Sequence, residues 1–240
     1  MSKIIKGIEI SFPTLPEQQK IATFLSSVDE KLQALKKKKS LLEAYKKGTM
    51  QKLFSQYIRF KDDEGDDFED WEVKKLGRLL RLHSTNKIFN LVASTEYDDK
   101  FSTPVLTAGK TFILGYTNET NGIFDKDLPV IIFDDFTTAT QFVDFPFKAK
   151  SSAMKILVAK ESVDIKFIYE AMQIMKYEVG GHERHWISKF ASIDILVPTL
   201  PEQTKIANFL SAIDAKVQKV EAQIKQTELW KKGLLQGMFV

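Results

Sequence analysis

The chain carries one long stretch of sequence twice. Residues 13–29 read PTLPEQQKIATFLSSVD and residues 198–214 read PTLPEQTKIANFLSAID. At an offset of 185 positions the copies align without a gap from Ile10/Ile195 to Phe54/Phe239, with about half of the pairs identical. A repeat of this length organises the chain as repeat, insert, repeat, so both copies are expected to adopt one local structure.

Both copies have the pattern of a long helix. Thr14 with Glu17, and Thr199 with Glu202, have the spacing of a capping box, which predicts a helix start at each site. Apolar residues then recur at alternating spacings of three and four, interrupted at Lys39, as in a coiled-coil seam. The apolar residues expected to pair the helices or dock a partner are Ile21, Phe24, Leu25, Val28, Leu32, Leu35, Ile206, Phe209, Leu210, Ile213, Val217, Val220 and Ile224.

An apolar stripe along so long a helix has to be buried, and the nearest available partner is the other copy. The first helix leads into the insert and the second leaves it, so pairing within the chain must be antiparallel. The alternative is that the stripe belongs to an ordinary helical bundle core.

The insert has a different pattern. Short runs rich in β-branched and aromatic residues, such as TFILGYT and PVIIFDD, alternate with Gly, Asn, Asp and Pro turns and predict strands. The segment SVDIKFIYEAMQIMKYE has helical periodicity, and DWEVKKLGRLLRL is expected to form a short docking helix. The predicted fold class is α+β, with one globular domain flanked by two long helices that pair as an antiparallel coiled coil.

Composition narrows the function classes. The chain of 240 residues has no cysteine, which excludes disulfides and thiolate metal sites. It shows neither a signal-peptide pattern nor an apolar run long enough to span a membrane, so we expect a cytoplasmic protein.

The net charge of +3 is unevenly distributed: residues 10–61 hold eleven bases and four acids, whereas residues 62–72 hold eight acids and no base. Overall charge therefore gives no argument for nucleic-acid binding, since only the first helix is markedly basic.

The repeats and the ends of the insert resemble a known family. LPEQ opens each long helix, and the insert begins WEVKKLG and ends WISKFASIDILVP; the GYT and ISK elements of the insert are weaker marks. This arrangement resembles the specificity (S) subunit of type I restriction-modification systems. The domains expected from the resemblance are a remnant strand of a missing first recognition domain (1–12), the first long helix (13–60), an acidic linker (61–72), a target recognition domain (67–198) and the second long helix (199–240).

The resemblance implies a non-catalytic subunit that reads one half of a bipartite double-stranded DNA target and docks methyltransferase subunits through its helices. S-adenosylmethionine, ATP and Mg²⁺ would then belong to the modification and restriction partner subunits, with no cofactor in this chain. The resemblance implies that a full-length member has two recognition domains and two long helices in the order domain, helix, domain, helix. This chain has one such domain. A half-size subunit would need a second domain, from a homodimer, which predicts an interrupted palindrome, or from another half subunit.

Polar loop residues of the insert are the candidates for DNA contact. Lysines in loop-like settings beside aromatic residues suit phosphate oxygens, and Arg, Thr, Gln and Asn side chains suit base edges. The candidates are Lys110, Tyr116, Asn118, Asn121, Thr137, Thr138, Thr140, Gln141, Lys148, Lys150, His182, Arg184, His185 and Lys189.

Several candidate features have competing interpretations. The segment GGHERHW could bind zinc or DNA, or form a surface turn that Trp186 anchors in the core; zinc would need further ligands, and His83 is the only other histidine. Asp134 and Asp135 follow an apolar strand, as nuclease carboxylates do, but no further acid and lysine stand at a recognisable spacing. The lysine run at 36–39 suits a solvated helix face, or contact with DNA or an acidic partner. The rival functions are a coiled-coil protein adaptor without DNA specificity and a self-sufficient nuclease.

Overall fold

A computed structural model describes residues 13–83, 92, 97–107, 111–150, 154–175, 186 and 189–238. The chain divides into two compact units. The helical unit comprises the described parts of residues 1–48 and 211–240, and the α+β unit comprises those of residues 49–210.

The helices and strands follow the chain in a mixed order. The helices are α1 (Leu15–Phe54), α2 (Leu76–Leu79), α3 (Ile165–Ile174) and α4 (Leu200–Met238), with a 3₁₀ turn at Phe190–Ser192. The strands are β1 (Glu72–Lys75), β2 (Leu80–His83), β3 (Thr103–Leu106), β4 (Ile113–Thr117), β5 (Val130–Asp134), β6 (Thr140–Val143), β7 (Lys148–Ala149), β8 (Met154–Ala159) and β9 (Asp194–Val197).

The described residues of the α+β unit include three small sheets. The largest has the order β2-β8-β5-β6 and is antiparallel throughout. The second has the order β4-β3-β7, in which β3 and β7 run parallel, and β1 pairs with β9 in the third. The expected α+β class is therefore confirmed, and the strands come from positions far apart in the sequence.

The core of the α+β unit lies between the two larger sheets. Strand β5 is buried at all five positions, and its uninterrupted apolar run VIIF, which precedes Asp134, is typical of a strand covered on both faces. Ile132 of β5 shares a hydrophobic cluster with Leu106 of β3 and Phe147, which precedes β7. At the start of α3, the Asp164 carboxylate caps the helix by accepting the N–H groups of Lys166 (2.9 Å) and Phe167 (3.0 Å).

The prediction of a docking helix at DWEVKKLGRLLRL is wrong for most of that segment. Only Leu76–Leu79 is helical, and the residues on either side form β1 and β2. β1 pairs with β9 and β2 pairs with β8, both across more than 70 positions of sequence. Pairing with distant strands outweighs the local helical pattern, because strand preference depends on cross-strand neighbours.

The two long helices pair antiparallel within the helical unit, as the sequence predicts. Lys46 Nζ lies 2.6 Å from Asp214 Oδ1, and Lys39 Nζ lies 3.1 Å from Glu221 Oε1. Further toward the start of α1, Lys36 Nζ lies 2.7 Å from Glu228 Oε1. Each step toward the start of α1 is thus matched by a step toward the end of α4.

The predicted seam is the buried face of this helix pair. Val28 and Leu32 of α1 are buried, as are Ile213 and Val220 of α4. Of the other predicted pairing positions in this unit, Phe24 is exposed, and the half-buried ones are Ile21, Leu25, Leu35, Val217 and Ile224. Lys39 interrupts the apolar spacing, and its ammonium reaches Glu221, whose hydrogen bond raises the lysine pKa.

The lysine run at 36–39 is divided between pairing and solvent. Lys36 and Lys39 make the ion pairs just described, whereas Lys37 and Lys38 are exposed. Among the helices that the structure describes, none has a stretch long and apolar enough to cross a membrane.

Candidate nucleic-acid interface and repeat segments

The β5–β6 hairpin turn holds one group of the predicted DNA-contact residues. The Asp134 N–H donates to Ala139 O (2.9 Å) and the Thr138 N–H donates to Asp134 O (2.9 Å), which closes a tight turn. Thr138 sits there at φ 61°, in the left-handed region that β-branched residues rarely occupy. Thr137 is exposed at the tip. The turn therefore presents Thr137 on a backbone fixed by its own hydrogen bonds.

The neighbouring predicted residues lie on strand β6. Thr140 begins the strand, and its hydroxyl accepts a hydrogen bond from Gln173 Nε2 of α3 (2.7 Å). Gln141 follows it and is exposed. Thr137 and Gln141 thus have solvent-accessible side chains, whereas the Thr140 hydroxyl already has an intramolecular donor.

Asp134 and Asp135 have structural partners. Asp134 Oδ1 accepts the N–H of Phe136 (2.9 Å) at the start of the turn. Asp135 is 1% exposed, its Oδ1 accepts the N–H of Trp186 (2.9 Å), and its Oδ2 lies 3.5 Å from Lys155 Nζ. Among the residues that the structure describes, no three histidine, cysteine, aspartate or glutamate side chains are grouped closely enough to hold a metal ion. The two carboxylates hold the hairpin and the Trp186 backbone.

Trp186 is a core residue, as one interpretation of GGHERHW expected. Its ring packs edge-on against Phe133 of β5, with centroids 5.3 Å apart. Phe133 also contacts Phe190, at 4.9 Å. The residue that follows the histidine and arginine cluster in sequence is therefore anchored beside the end of β5 and the hairpin turn.

A second group of predicted residues belongs to the three-stranded sheet. Tyr116 is a half-buried residue of β4, and Asn118 and Asn121 are exposed in the segment after that strand. Gly115, the glycine of the GYT element, lies so close to Tyr97 that a Cβ would come within 2.6 Å of the Tyr97 Cβ. That glycine is needed for close packing.

Lys148 and Lys150 differ sharply in environment. The loop-like setting expected for Lys148 is wrong: it belongs to strand β7, is 1% exposed, and pairs with Glu119. A buried, paired ammonium is not available to a phosphate group. Lys150 is half-buried after the strand, with Nζ 5.8 Å from the centroid of the Tyr97 ring.

The other predicted contacts are less informative. Lys189 is half-buried before the 3₁₀ turn, where its carbonyl accepts the N–H (3.2 Å) and the hydroxyl (2.8 Å) of Ser192. Lys110, His182, Arg184 and His185 lie outside the described residues.

His83, the other histidine of the chain, has an acidic neighbour. Its Nε2 lies 3.3 Å from Asp127 Oδ2, which also accepts a hydrogen bond from Arg81 (3.0 Å).

Sequence reasoning missed Phe136. This aromatic ring stands at the hairpin turn with 48% of its surface exposed, next to Thr137. The signal in the sequence was an aromatic residue inside a polar turn, DDFTT, where burial gives no reason for a ring.

A buried polar network surrounds the start of α4, which carries the C-terminal repeat segment (residues 198–210). Glu202 is fully buried and accepts from Arg59 Nε (3.1 Å to Oε1) and Nη2 (2.8 Å to Oε2). Trp71 Nε1 donates to the same carboxylate (3.0 Å), and the hydrogen bond that Arg59 donates to Glu202 is the main cause that raises the Arg59 pKa. The bidentate pair fixes the first turn of α4 to the chain before β1.

This network replaces the predicted capping box. The helices begin one residue after Thr14 and Thr199, as expected, but the Glu202 carboxylate binds Arg59 and Trp71. The buried Thr199 hydroxyl has no hydrogen-bond partner among the residues that the structure describes. The first turn is instead closed by Gln203, whose Nε2 donates to Pro198 O (2.8 Å). A local capping pattern cannot reveal a distant arginine.

The chain belongs to the type I restriction modification DNA specificity domain family, whose model matches residues 2–44 and 68–228. It is 41% identical over 161 residues to the EcoR124I/EcoR124II specificity subunit of Escherichia coli, covering 62% of this chain and 39% of that protein. It is 26% identical over 278 residues to the MjaVIII specificity subunit of Methanocaldococcus jannaschii, covering 97% of this chain and 61% of that one.

The fold resembles solved structures of the same class. The S subunit of the type I restriction-modification system from M. genitalium matches with a TM-score of 0.68 at 18% identity, over 95% of this chain and 62% of that one. A chain from a structure concerning complex assembly and conformational transition of the type I R-M system matches with a TM-score of 0.50 at 16% identity, covering 96% of this chain and 60% of the other. The chain spans between 39% and 62% of the lengths of these proteins.

Proposed function

We propose that the chain is the DNA sequence-recognition subunit of a type I restriction-modification complex and carries no catalytic site of its own. The observation that carries this proposal is the family match, which includes parts of both long helices and nearly all of the α+β unit. On this proposal the α+β unit is a target recognition domain that reads one half of a bipartite site. A protein acting on cellular DNA in this way would work in the cytoplasm.

The β5–β6 hairpin supports a role in base recognition. Phe136 and Thr137 are exposed on a turn held by buried carboxylates, and Gln141 is exposed on the adjoining strand β6, so their backbone positions are fixed before any ligand binds. Hydroxyl and amide groups suit base edges, and an exposed ring suits the thymine methyl group or a base face. Asn118, Asn121 and Lys150 extend the proposed contact set, whereas the buried Lys148 is omitted.

Surface residues of the helical unit support docking of partner subunits. Tyr45 and Trp230 occupy equivalent positions of the internal repeat and are 55% and 50% exposed. Leu41 and Leu229 are also exposed, at 61% and 62%. Exposed aromatic residues are typical of protein interfaces, and a repeated aromatic suits two copies of one partner. We propose methyltransferase subunits as that partner, with S-adenosylmethionine bound there and with ATP and Mg²⁺ used by a restriction subunit.

A single recognition domain leaves half of a bipartite site unread. We propose a second domain from a homodimer or from another half subunit; the homodimer predicts an interrupted palindromic target. The test is to co-express the chain with its modification subunit in a host without DNA methylation and to map methyladenine by long-read sequencing. An interrupted palindrome supports the homodimer, and an asymmetric split motif supports pairing with a different domain.

The rival proposal, a protein adaptor, is tested with the same complex. A stable complex that methylates no DNA and shows no preference among duplexes in a gel-shift competition would favour the adaptor. The matched variants are Gln141→Ala in the hairpin and Gln218→Ala on the exposed surface of α4. Loss of a base contact should weaken specific binding about tenfold or more for the first variant only.

A further inference from the structure

Strand β1 has one open edge. Among the residues that the structure describes, β9 is the only strand paired with it, with Val73 opposite Leu196 and Lys74 opposite Ile195. All four residues of β1 are exposed. An edge strand presents unpaired backbone N–H and C=O groups, which form a template for a further strand. The open edge of β1 is therefore a surface at which another strand can bind.

The hydrogen bonds to β9 determine which backbone groups face the open edge. The N–H of Leu76, just after β1, donates to Ile193 O (2.9 Å), so these two residues form a hydrogen-bonded pair. Such pairs occur at every second position of an antiparallel ladder, so Lys74 and Glu72 also bond to β9. Val73 lies between them, and its N–H and C=O groups therefore point toward the open edge.

A second copy of β1 fits this edge in one antiparallel register. With Val73 opposite Val73 of the second copy, the two valines exchange their backbone hydrogen bonds across a twofold axis. Glu72 of each copy then lies opposite Lys74 of the other. The two neighbouring registers place Lys74 opposite Lys74, or Glu72 opposite Glu72, and like charges directly opposite are destabilising. The charges of β1 therefore select the register centred on Val73.

The charged face of β1 suits this register. Within one strand, Lys74 Nζ lies 2.8 Å from Glu72 Oε2, and the two side chains are 44% and 71% exposed. In the paired strands, each carboxylate has one lysine on its own strand and a second on the other copy. The four charges then alternate in sign around the twofold axis, so every nearest neighbour is opposite in charge.

The other face of the strand pair would form an apolar row. Val73 is 66% exposed and Leu196 is 40% exposed, although the two are cross-strand neighbours. Pairing about Val73 brings the two valines together, with a leucine on either side, across four adjacent strands. Apolar side chains that are directly opposite in a sheet stabilise the pairing and lose exposure to water.

We infer that the open edge of β1 binds the same edge of a second copy of this chain, antiparallel about Val73, to give a continuous four-stranded sheet in the order β9-β1-β1-β9. One strand pair is a small contact, so we expect a dimer that exchanges rapidly. The inference deepens the homodimer proposed above and rests on that part of the proposed function. Its test uses no DNA, so its failure leaves the proposed reading of DNA in place.

Cysteine crosslinking of the full-length chain tests the pairing, since the chain has no cysteine of its own. Val73→Cys places two thiols on a hydrogen-bonded pair whose Cα atoms are about 5.5 Å apart, within the range of a disulfide. The control, Leu196→Cys, is exposed on the same face but lies about 14 Å from its counterpart, three strand spacings away. We expect Val73→Cys to form a disulfide dimer at least about tenfold faster than the control at equal concentration under mild oxidation. Equal rates would overturn the inference.

A charge exchange tests the register. In the Val73→Cys chain, either Glu72→Lys or Lys74→Glu places like charges opposite each other and should slow crosslinking about tenfold. An equal mixture of these two variants restores opposite charges between unlike chains, so the mixed dimer should form at close to the original rate. Residues 72 and 74 of each chain stay alike in charge in the mixture, so recovery isolates the contact between chains.

Two further outcomes would contradict the inference. A mixture that does not recover, from variants whose circular dichroism matches that of the parent chain, would show that the strands do not pair in this register. A Val73→Cys crosslink that disappears when the modification subunit is added would overturn the choice of a second copy, because that subunit would then occupy the edge.

Discussion

The ammonium of Lys46 on α1 lies 2.6 Å from a carboxylate oxygen of Asp214 on α4. The internal repeat places Lys231 at the position equivalent to Lys46, and Asp29 at the position equivalent to Asp214. Lys231 and Asp29 also form an ion pair. The two pairs are therefore related by a pseudo-twofold axis across the helix pair, and the repeat encodes one interhelical contact that is used twice.

The Lys46–Asp214 pair should contribute measurably to pairing of the helices. Both side chains are largely buried, with 18% and 28% exposed, so solvent screens the pair less than at an open surface. We expect Lys46→Met to lower the unfolding free energy of the helical unit by about 1 kcal/mol, measured by urea unfolding followed at 222 nm. The exchanged pair, Lys46→Asp with Asp214→Lys, should recover most of that loss.

The control for this prediction is Lys37→Met, at an exposed position of the same helix. Its effect should stay within about 0.5 kcal/mol. If the Lys46 and Asp214 single variants add without coupling in a double-mutant cycle, the pair does not stabilise the helices.

Replacing Glu202 should lower the stability of the protein strongly, whereas replacing Glu17 should hardly change it. Glu202→Ala leaves the Arg59 guanidinium and the Trp71 indole without their buried acceptor. We expect a loss of about 3 kcal/mol in the unfolding free energy of the α+β unit, monitored by tryptophan fluorescence. Glu17→Ala changes the same residue in the exposed copy and should cost less than about 0.5 kcal/mol in the purified chain. Similar losses at both positions would contradict the burial difference.

The repetitive and local parts of the fold were accessible from sequence. The two long helices and the seam through Val28 and Ile213 follow from periodicity, which depends on neighbours within a few residues. β1 and β2 were not accessible, because strand partners more than 70 residues away decide their structure. The same reason explains why the partner of Glu202 could not be predicted. The local spacing indicates a capping box, but the carboxylate pairs with the distant Arg59.

The candidate interface was predicted less well than the fold. Turn composition located the hairpin that exposes Thr137, since Gly, Asn, Asp and Thr clusters mark turns. Composition could not separate the buried Lys148 from the more accessible Lys150, because Glu119 lies 29 positions before its lysine partner. Composition alone also gave no reason to expect an exposed Phe136, since an aromatic residue in a β-rich segment is more often part of the core; the signal was its position inside the polar turn DDFTT.

Thr138→Gly should stabilise the β5–β6 hairpin. Thr138 has a φ of 61°, which a β-branched side chain adopts only under strain and which glycine adopts freely. We expect the unfolding free energy of the α+β unit to rise by roughly 1 kcal/mol, measured by thermal unfolding. Thr137→Gly is the control at the adjacent tip position, for which the structure gives no positive φ and hence no gain. A loss of stability in Thr138→Gly would show that the threonine side chain makes a contact worth more than the strain.

The acidic segment should lose structure at low pH through Asp62. Its carboxylate accepts the backbone N–H groups of Asp66 (2.8 Å) and Glu64 (2.9 Å), which lowers its pKa from the ordinary aspartate value. Because folding lowers this pKa, the stabilisation is present above the ordinary aspartate pKa and is lost as pH falls through the lowered value. Carbon-detected NMR should show the Asp62 carboxyl titrating below an unstructured aspartate. Titration at the ordinary value would show that the turn does not hold the carboxylate.

Lys148 and Lys150, two residues apart, should affect different measurements. Lys148→Met leaves Glu119 without its buried ammonium, so we expect a loss of about 2 kcal/mol in stability and an unchanged salt dependence of DNA binding. Lys150→Met should leave stability within about 0.5 kcal/mol and, if Lys150 contacts a phosphate, reduce the slope of log K against log salt by about 1. Both variants are measured by thermal unfolding and by DNA binding between 50 and 200 mM salt, conditions over which phosphate contacts change affinity strongly.

A reduced slope for Lys148→Met in a folded protein would mean that the lysine leaves Glu119 to bind DNA. An unchanged slope for Lys150→Met would remove Lys150 from the proposed interface.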